Sequence, residues 1–512
     1  MRRSLAYWGQ IAGLLFFPLL LTAQVADTSS RKVEIIHADM LRLSEFSGDR
    51  ITTLSGAVQL RQEDMLMDCD SAQIYQSSNT VYAYGRVKIT RQSLLVRSQQ
   101  LVYSGNERFA RLSGGVLLNR DKMILRTPSL DYDMHSGVST YLYGGEVLKE
   151  KTRITSRRGD YNENTELVYF RDSVVVIDPD FRITADTLQF NRSTEKLLFF
   201  PGTTIYNEKN RIECQTGIYD LNNNQATFGA NTLLHSPPQR LATGHLFYDR
   251  NKGIAIMEDR FHWIDSSMQA EIFAYKGRFD EQQQQIRATQ DPLLITRADQ
   301  DTLWLTADTL LSRQKSSADT TRLFFAWRNV RLFSKGFQGV CDSLTYSFQD
   351  SIFHFYQLPV LWTEGIQIHG DTLSLQTKNN KPDYLYARKQ AWVISLSDSA
   401  LSLYDQITGV YLQGYFANNE LDKVQVVQNA ESLYFGKTEK GVYEGVNKSR
   451  CAQMWLHFEA KKLSRIRFLQ KPEAVYTPIR KFPQSDYQLK GFRLETSRRP
   501  LSPKAIAPLW VN

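Results

Sequence analysis

The chain has few of the features that mark a membrane-spanning or metal-dependent protein. After the first 25 of its 512 residues, no run is long and apolar enough to cross a bilayer as a helix. Helix signals are almost absent. The eight histidines never fall at metal-ligand spacing, and no HExxH, GxSxG, P-loop or GxGxxG motif occurs. The sequence therefore offers no recognisable catalytic centre, and we expect neither an enzyme nor a cofactor.

Cysteine is also scarce, with only four residues. An even number of cysteines in an exported chain suggests disulfides. Three of them, however, occupy related positions in the segments CDSAQIY, CQTGIY and CDSLTY, where a further copy, ADTLQF, has Ala185. This favours buried small residues over bridges, although pairing stays open. The four are Cys69, Cys214, Cys341 and Cys451.

The N-terminus has the pattern of a secretory signal. Arg2 and Arg3 precede an apolar stretch from Ile11 to Leu21, and Ala23 is a suitable cleavage site. An uncleaved anchor is the alternative, whereas a lipoprotein anchor is excluded because no cysteine lies near the cut. The net charge of +8 suits anionic glycans, lipids or nucleic acid, and charge alone does not choose. Export argues against nucleic acid.

The chain repeats itself about every 29 residues. Seven aromatic residues recur at spacings of 28 or 29, each followed by turn-forming residues: Tyr75, Tyr103, Tyr132, Tyr161, Phe190, Tyr219 and Tyr248. In four units a glycine lies two positions before a valine, and in the next unit Asp172 takes its place before Val174. These glycines are Gly56, Gly85, Gly114 and Gly145.

One unit consists of two strands joined by a short polar break, as in TVYAYGRVKIT, RQS and LLVRSQQLVY. Short connections between strands imply antiparallel hairpins, so the chain is predicted to be a long meander. Strands of about 11 residues would span roughly 35 Å, and glycines in register would let each strand bend at the same point. We expect a crease along the sheet. The interior is then either an apolar groove or a core filled by side chains.

The repeat unit of this chain resembles that of the OstA or LptA-like family of periplasmic lipopolysaccharide-transport proteins. A G-x-V strand is followed by Cys69, Asp70 and Tyr75, an Asn turn, and A-x-G-x-V again. Later copies are ADTLQF (185–190), ADTLLS (307–312), CDSLTY (341–346) and GDTLSL (370–375). The resemblance is good over residues 33–250 and patchy to about 395. The tail is similar to that of longer versions from Bacteroidetes-like bacteria.

The resemblance implies an extended antiparallel β-jellyroll, or β-taco, with a smaller C-terminal β unit. We expect a signal peptide (1–23), regular repeats (31–250), degenerate repeats (251–395) and a C-terminal β unit with an extended tail (396–512). The interior would carry lipid A acyl chains of lipopolysaccharide across the periplasm toward the outer membrane. Partners would be other β-taco transport components that pair through edge strands, or further copies of this chain head to tail.

Two sets of residues are predicted to contact the lipid. The first lines the groove: Val58, Leu60, Val81, Ala83, Val87, Ile89, Val116, Leu118, Val147, Val174 and Val176. The second could meet phosphorylated headgroups at the groove mouth, with a solvated outer face as the alternative: Arg86, Lys88 and Arg91.

The rival prediction is a secreted β-solenoid that acts on carbohydrate or has a structural role in the cell envelope. Such an enzyme needs a unique charged cluster, whereas the aspartates recur with the repeat unit and are expected to be structural. These aspartates are Asp70, Asp186, Asp308, Asp342 and Asp371.

Overall fold

The computed structural model describes residues 32–207, 210–298, 301–316, 321–363, 365–378, 381–418, 420–438, 440–459 and 462–511. The predicted signal peptide lies outside the described residues. These residues form 40 antiparallel β-strands, and the helices, one of four residues and three short 3-10 turns, all follow residue 478. The all-β fold class is confirmed. The domain boundaries at residues 250 and 395 stay a prediction.

The first of two compact units comprises the chain through Arg120 together with Asp133–His135. Its strands are β1 (Glu34–His37), β2 (Met40–Phe46), β3 (Asp49–Gln62), β4 (Met65–Tyr75), β5 (Thr80–Arg91), β6 (Leu94–Ser104) and β7 (Phe109–Arg120). Strands β1 and β2 both pair with β3, and β3 to β7 pair in chain order. This unit is a meander of long hairpins, as the short polar breaks predict.

The second unit comprises Asp121–Tyr132 and the chain from Ser136. Its first strands are β8 (Met123–Asp133), β9 (Val138–Tyr141), β10 (Gly145–Lys149), β11 (Thr152–Ser156), β12 (Arg158–Asn162), β13 (Leu167–Ile177), β14 (Arg182–Asn191), β15 (Lys196–Phe199), β16 (Thr203–Asn207), β17 (Asn210–Cys214), β18 (Gly217–Asp220), β19 (Gln225–Phe228), β20 (Thr232–Ser236), β21 (Gln239–Asp249) and β22 (Ile254–Asp265). Many of these strands are about half as long as those of the first unit, because a strand that would run across the whole sheet is interrupted midway and continues as a second short strand. Thus β10 pairs with β11 while β9 pairs with β12.

The same arrangement continues to the end of the second unit. The remaining strands are β23 (Ala270–Ala274), β24 (Lys276–Asp280), β25 (Gln285–Thr289), β26 (Leu293–Ala298), β27 (Asp301–Thr306), β28 (Thr309–Gln314), β29 (Arg322–Phe333), β30 (Gln338–Ser347), β31 (Ile352–Tyr356), β32 (Val360–Thr363), β33 (Ile366–His369), β34 (Thr372–Lys378), β35 (Lys381–Asp398), β36 (Leu403–Ala417), β37 (Glu420–Lys437), β38 (Tyr443–Glu459), β39 (Lys462–Leu469) and β40 (Glu473–Pro478). The helix α1 spans Pro503–Ile506.

Many of the hairpins bend at a crease, which we define as two consecutive residues with left-handed backbone in the middle of a crossing, away from the turns. Between β3 and β4, residues 56 and 57 face the single residue Asp70, so the crease is a β-bulge. Such pairs recur at residues 56 and 57, 85 and 86, 114 and 115, 172 and 173, 259 and 260, 290 and 291, 328 and 329, 357 and 358, 389 and 390, 428 and 429, and 470 and 471. The bulge therefore accompanies the repeat well beyond the glycine-containing units.

The crease divides each crossing into two halves. We call the half that carries the recurring aromatics the tyrosine wing, as in residues 49–55 and 71–75, and the other half the valine wing, as in residues 58–62 and 65–69. Alternate residues of both wings are buried on one face, for example Leu54 and Ile74 in the first and Val58 and Met67 in the second. These inner faces meet: Tyr103 in the tyrosine wing donates a hydrogen bond to Gln62 at the end of the valine wing.

A last segment, residues 479–511, lies across the valine wing of the second unit, and we call it the strap. It contains α1 and the 3-10 turns, and has little secondary structure otherwise. Leu489 joins a cluster with Trp392 and Phe435, while Ile506 and Ala507 pack on β26. The strap therefore gives the valine wing a second buried face.

Candidate functional site

The crease at Gly85 shows why glycine is used there. Gly85 has φ +73°, a left-handed conformation in which a side chain is strained. A Cβ atom on Gly85 would lie 2.4 Å from Oδ2 and 2.9 Å from Cβ of Asp70. Two requirements, the backbone conformation and the close approach of Asp70, therefore coincide at this position.

The four predicted crease glycines are not all equivalent. Gly56 and Gly114 both have φ +80°, a left-handed conformation like that of Gly85. In the fourth sequence repeat, the left-handed residue is Gly144, at φ +96°. Gly145 instead begins β10 and packs against the ring of Tyr141. The bend there thus lies one residue before the position that the G-x-V spacing indicates.

The recurring aspartates lie at the creases. Asp70 accepts hydrogen bonds from the Arg86 guanidinium at 2.6 and 2.9 Å. Asp308 accepts one from the Asn329 side chain at 3.0 Å, and its backbone N–H donates to the carbonyl of Arg328. Asp186 and Asp342 face the bulged pairs at 172 and 328, and the N–H of Asp371 donates to the carbonyls of residues 388 and 389. Each aspartate thus lies beside a bulge, and Asp308 and Asp342 lie beside the same one, at residues 328 and 329.

The predicted lining residues share the inner face and are all buried, with none more than 5% exposed: Val58, Leu60, Val81, Ala83, Val87, Ile89, Val116, Leu118, Val147, Val174 and Val176. In this structure they contact other protein atoms over nearly their whole surface. An acyl chain beside them would require the two wings to move apart.

Two cavities lie farther along the second unit. One of about 260 Å³ has walls from both wings, including Leu241 and Trp263 from the valine wing and Leu246 and Met257 from the tyrosine wing. A second, of about 440 Å³, is lined by residues such as Leu305, Phe324 and Phe353. Apolar cavities of about 150 Å³ already admit a benzene-sized ligand. The interior here has room for part of an apolar chain.

From Tyr103 onward, the recurring aromatics form a row near the open edge of the tyrosine wing, whereas Tyr75 alternates with the inner residue Ile74 and lies on the outer face beside Tyr82. Tyr103 is 1% exposed, and burial raises the pKa of its phenol to about 12. The hydroxyl groups point to polar residues of the turns: Tyr132 donates to Glu163 at 2.9 Å and Tyr248 to Glu281 at 3.2 Å. The row separates the apolar interior from the charged turns.

We define the mouth as the two rows of turns at the outer ends of the wings. Turns of the tyrosine wing include residues 105–108, 192–195 and 250–253, and those of the valine wing include 63–64, 121–122, 150–151 and 178–181. In the first unit, Arg108 Nη2 lies 3.0 Å from Glu63 Oε2, which joins the two rows. In the described part of the second unit, such pairs are formed by Arg192 with Asp121, Lys149 near its turn with Glu195, and Arg250 with Asp180.

The basic residues predicted to contact headgroups lie in different places. Arg86 is at the crease, paired with Asp70, far along the strand from the mouth. Lys88 is 3.4 Å from Asp68, on the valine wing. Arg91 lies at the end of β5 beside the turn residue Asp64, at 3.0 Å. Of the three, Arg91 is the one at the mouth.

The strap is a site that sequence reasoning missed. Gln406, 1% exposed, donates to the carbonyl of Tyr487 at 2.7 Å and accepts from the N–H of Leu489 at 2.8 Å. Gln367 makes the same two bonds with residues 493 and 495. Arg499 donates to Gln338 Oε1 at 2.6 Å. The sequence signal for this cover is the run of consecutive apolar residues in β32 and β35. A strand with one solvent-exposed face would alternate apolar and polar residues instead.

All four cysteines are free and buried, so the prediction of buried small residues is confirmed. In the described residues no cluster of histidine, cysteine or carboxylate side chains is placed to hold a metal, and no helix is long and apolar enough to cross a membrane.

Strand β2 exposes Leu41 and Leu43, although they pair with the buried Leu54 and Thr52. The inner face is therefore open to solvent at this strand.

Comparisons with known proteins give one family. Residues 30–186 match the family described as OstA-like protein. Among solved structures, the chain is similar to LptH of Pseudomonas aeruginosa, described as the LptA homologous periplasmic component of the lipopolysaccharide transport device. That match has 13% identity and a TM-score of 0.15, and covers 27% of this chain and 82% of LptH. No curated protein matches. The similarity to a known family therefore lies in residues 30–186, which are less than half of the chain.

Proposed function

We propose that the chain is an exported carrier that holds the acyl chains of lipopolysaccharide between its wings and moves the lipid across the periplasm toward the outer membrane. The observation that carries this proposal is the apolar interior, bounded by both wings and interrupted by cavities of about 260 and 440 Å³. The choice of lipopolysaccharide rests on the OstA-like character of residues 30–186.

The energetics favour an enclosed path for such a lipid. Each CH₂ group exposed to water costs about 0.8 kcal/mol, so a long acyl chain costs on the order of 10 kcal/mol. Inner-face residues at the same position of successive units, such as Val58, Val87 and Val116, offer near-identical surroundings. A lipid that moves from one to the next therefore meets no strongly preferred position. No catalytic step is part of this proposal.

The ends of the strand arrays suit pairing with a similar fold. Strand β2 pairs with β3 on one side, and its side chains from Met40 to Phe46 are exposed. Strand β40 pairs with β38, with Val475 and Tyr476 exposed. Exposed strand edges accept further strands. We propose that other transport components of the same fold, or further copies of this chain, bind there.

Photo-crosslinking tests the proposal in cells. A photoreactive residue at Val87 faces the interior, whereas one at the adjacent Lys88 faces outward. Leu43 and Arg42 form a second pair at an exposed strand, where a bulky probe perturbs packing least. We expect adducts with lipopolysaccharide from Val87 and Leu43 and few from their neighbours. Equal labelling within both pairs, or none, would contradict the carrier.

The carbohydrate-active alternative needs a concentrated set of carboxylates. The aspartates that the repeat supplies are instead distributed along the creases, and Asp70 and Asp308 are bonded to side chains of the bulges beside them. The described geometry therefore favours the carrier.

A further inference from the structure

Among the described residues, ion pairs connect the two sides of the mouth. Their partners are 45 to 71 residues apart in sequence, so each joins one wing to the other and not neighbouring strands: Arg108 with Glu63, Lys149 with Glu195, Arg192 with Asp121, and Arg250 with Asp180. They hold closed the edge through which a lipid between the wings would have to pass.

Arg192 has the most developed of these contacts. Its side chain is only 16% exposed, and it lies 2.9 Å from Asp121 Oδ2 across the mouth. It also lies 3.1 Å from Glu166 and donates to the Tyr161 hydroxyl at 2.9 Å. By contrast, the side chain of Arg86, which pairs at the crease, is 86% exposed. The guanidinium of Arg192 is therefore held in place at the boundary between the apolar interior and solvent.

The chemistry of these cations suits a second kind of partner. A guanidinium presents a planar set of N–H donors that fits phosphate as well as carboxylate. A phosphate ester carries a charge of roughly −1.5 to −2 near neutral pH, more than one carboxylate. A phosphoryl group at the mouth would thus compete with Asp121 for Arg192. Its binding would remove the contact that joins the wings.

We propose that the mouth ion pairs are exchange sites for the phosphoryl groups of an amphiphile. The headgroup phosphate replaces the carboxylate on Arg192, Arg108 or Arg250, and the wings separate where its acyl chains enter. This inference rests on the proposed carrier function and adds to it a specificity for phosphorylated headgroups. Headgroup recognition and opening of the interior are then one event.

The test compares two probes on the full chain: diphosphorylated lipid A and the same lipid after enzymatic dephosphorylation. Wild-type protein should bind the phosphorylated form at least tenfold more tightly, since charge-assisted contacts are lost with the phosphates. Arg192→Gln combined with Arg108→Gln and Arg250→Gln should bring the two affinities within about threefold. Asp121→Asn should keep the preference and accelerate binding, because the competing carboxylate has become neutral.

Arg171→Gln is the matched control, because Arg171 pairs with Asp160 within one wing and not across the mouth. It should retain the wild-type preference. Arg192→Lys, which keeps the charge, covers the case in which the glutamine variants unfold, and should retain part of the preference. Equal wild-type affinity for both probes would overturn the exchange sites while leaving the carrier intact. Failure to bind either probe would overturn both proposals.

Discussion

The valine wing of the first unit and that of strands β26 to β38 have similar inner walls and different outer surfaces. In the first unit, outward residues are polar, such as Asp68, Lys88 and Arg97. In the later strands the outward residues are apolar and buried, such as Trp362 and Trp392. The difference follows from the strap, which covers the second surface and has no counterpart among the described residues of the first unit. One repeat can therefore serve as a one-sided or a two-sided sheet.

The cover is built on buried glutamines. A glutamine side chain both donates and accepts, so Gln367 and Gln406 each bind a carbonyl and an N–H two residues apart on the strap. Burial also affects His369, which stacks on Trp392 at 5.9 Å, and lowers its pKa to about 4. The strapped wing thus contains polar groups that are stable only in one arrangement.

Removing the strap should have the largest effect. Truncation after Pro478 uncovers Trp392, Ile394 and their neighbours, each worth about 1.5 to 3 kcal/mol when buried. We expect a loss on the order of 5 kcal/mol or more in unfolding free energy, with binding of a hydrophobic dye. Leu501→Ala, at a strap residue 76% exposed, is the control and should change stability little. An unchanged unfolding midpoint for the truncation would show that the two wings do not differ in this way.

The pH dependence of the strapped region should be next in size. Burial raises the pKa of Asp405 to about 7, against the hydrogen bond from the Phe435 N–H and the charge of Lys437. The folded chain therefore keeps on Asp405 a proton that the unfolded chain loses near pH 4, and the contribution of Asp405 to stability falls as pH rises from about 4 through 7. The lowered pKa of His369 acts in the opposite direction, because its contribution rises as pH increases from about 4 to 6.5. The fall due to Asp405 should be roughly 4 kcal/mol. Asp405→Asn should abolish it in urea unfolding at pH 5 and 8, and an identical pH slope in both proteins would contradict the assignment.

A pair of glycine substitutions separates backbone strain from contact in the first unit. Gly85→Ala combines a positive φ with overlap on Asp70, and should cost about 3 kcal/mol. Gly115→Ala has φ +85° with no atom within 4 Å of the added carbon, and should cost about 1 kcal/mol. Chemical unfolding of both variants measures the difference. Equal losses would mean that Asp70 does not determine the need for glycine.

The smallest effect is expected at the mouth of the unstrapped unit. Arg108→Gln removes an ion pair whose side chains are 43% and 39% exposed, and should cost less than about 1 kcal/mol. The cost should shrink further in high salt, as thermal unfolding at two salt concentrations would show. A loss comparable to that of strap removal would contradict the contrast between the regions.

The repeat, the antiparallel hairpins and the crease at Gly85 could be predicted because the sequence signal for each lies within about 30 consecutive residues. The crease at 389 could not, since Lys389 and Gln390 give no local signal for left-handed backbone, and at 428 only Asn429 gives a weak one. The mouth pairs and the strap depend on residues brought together by folding, 161 positions apart for Arg499 and Gln338. In sequence, Arg192 looks like an ordinary solvated turn residue.

The central claim is that the wings separate at the mouth when acyl chains enter the interior. Spin labels at Lys122 and Ser193, beside the contact between Asp121 and Arg192, report the separation of the two turns by pulsed electron resonance. With diphosphorylated lipid A, we expect a longer and broader distance distribution than in the lipid-free protein. An unchanged distribution in a sample shown to contain bound lipid would contradict it.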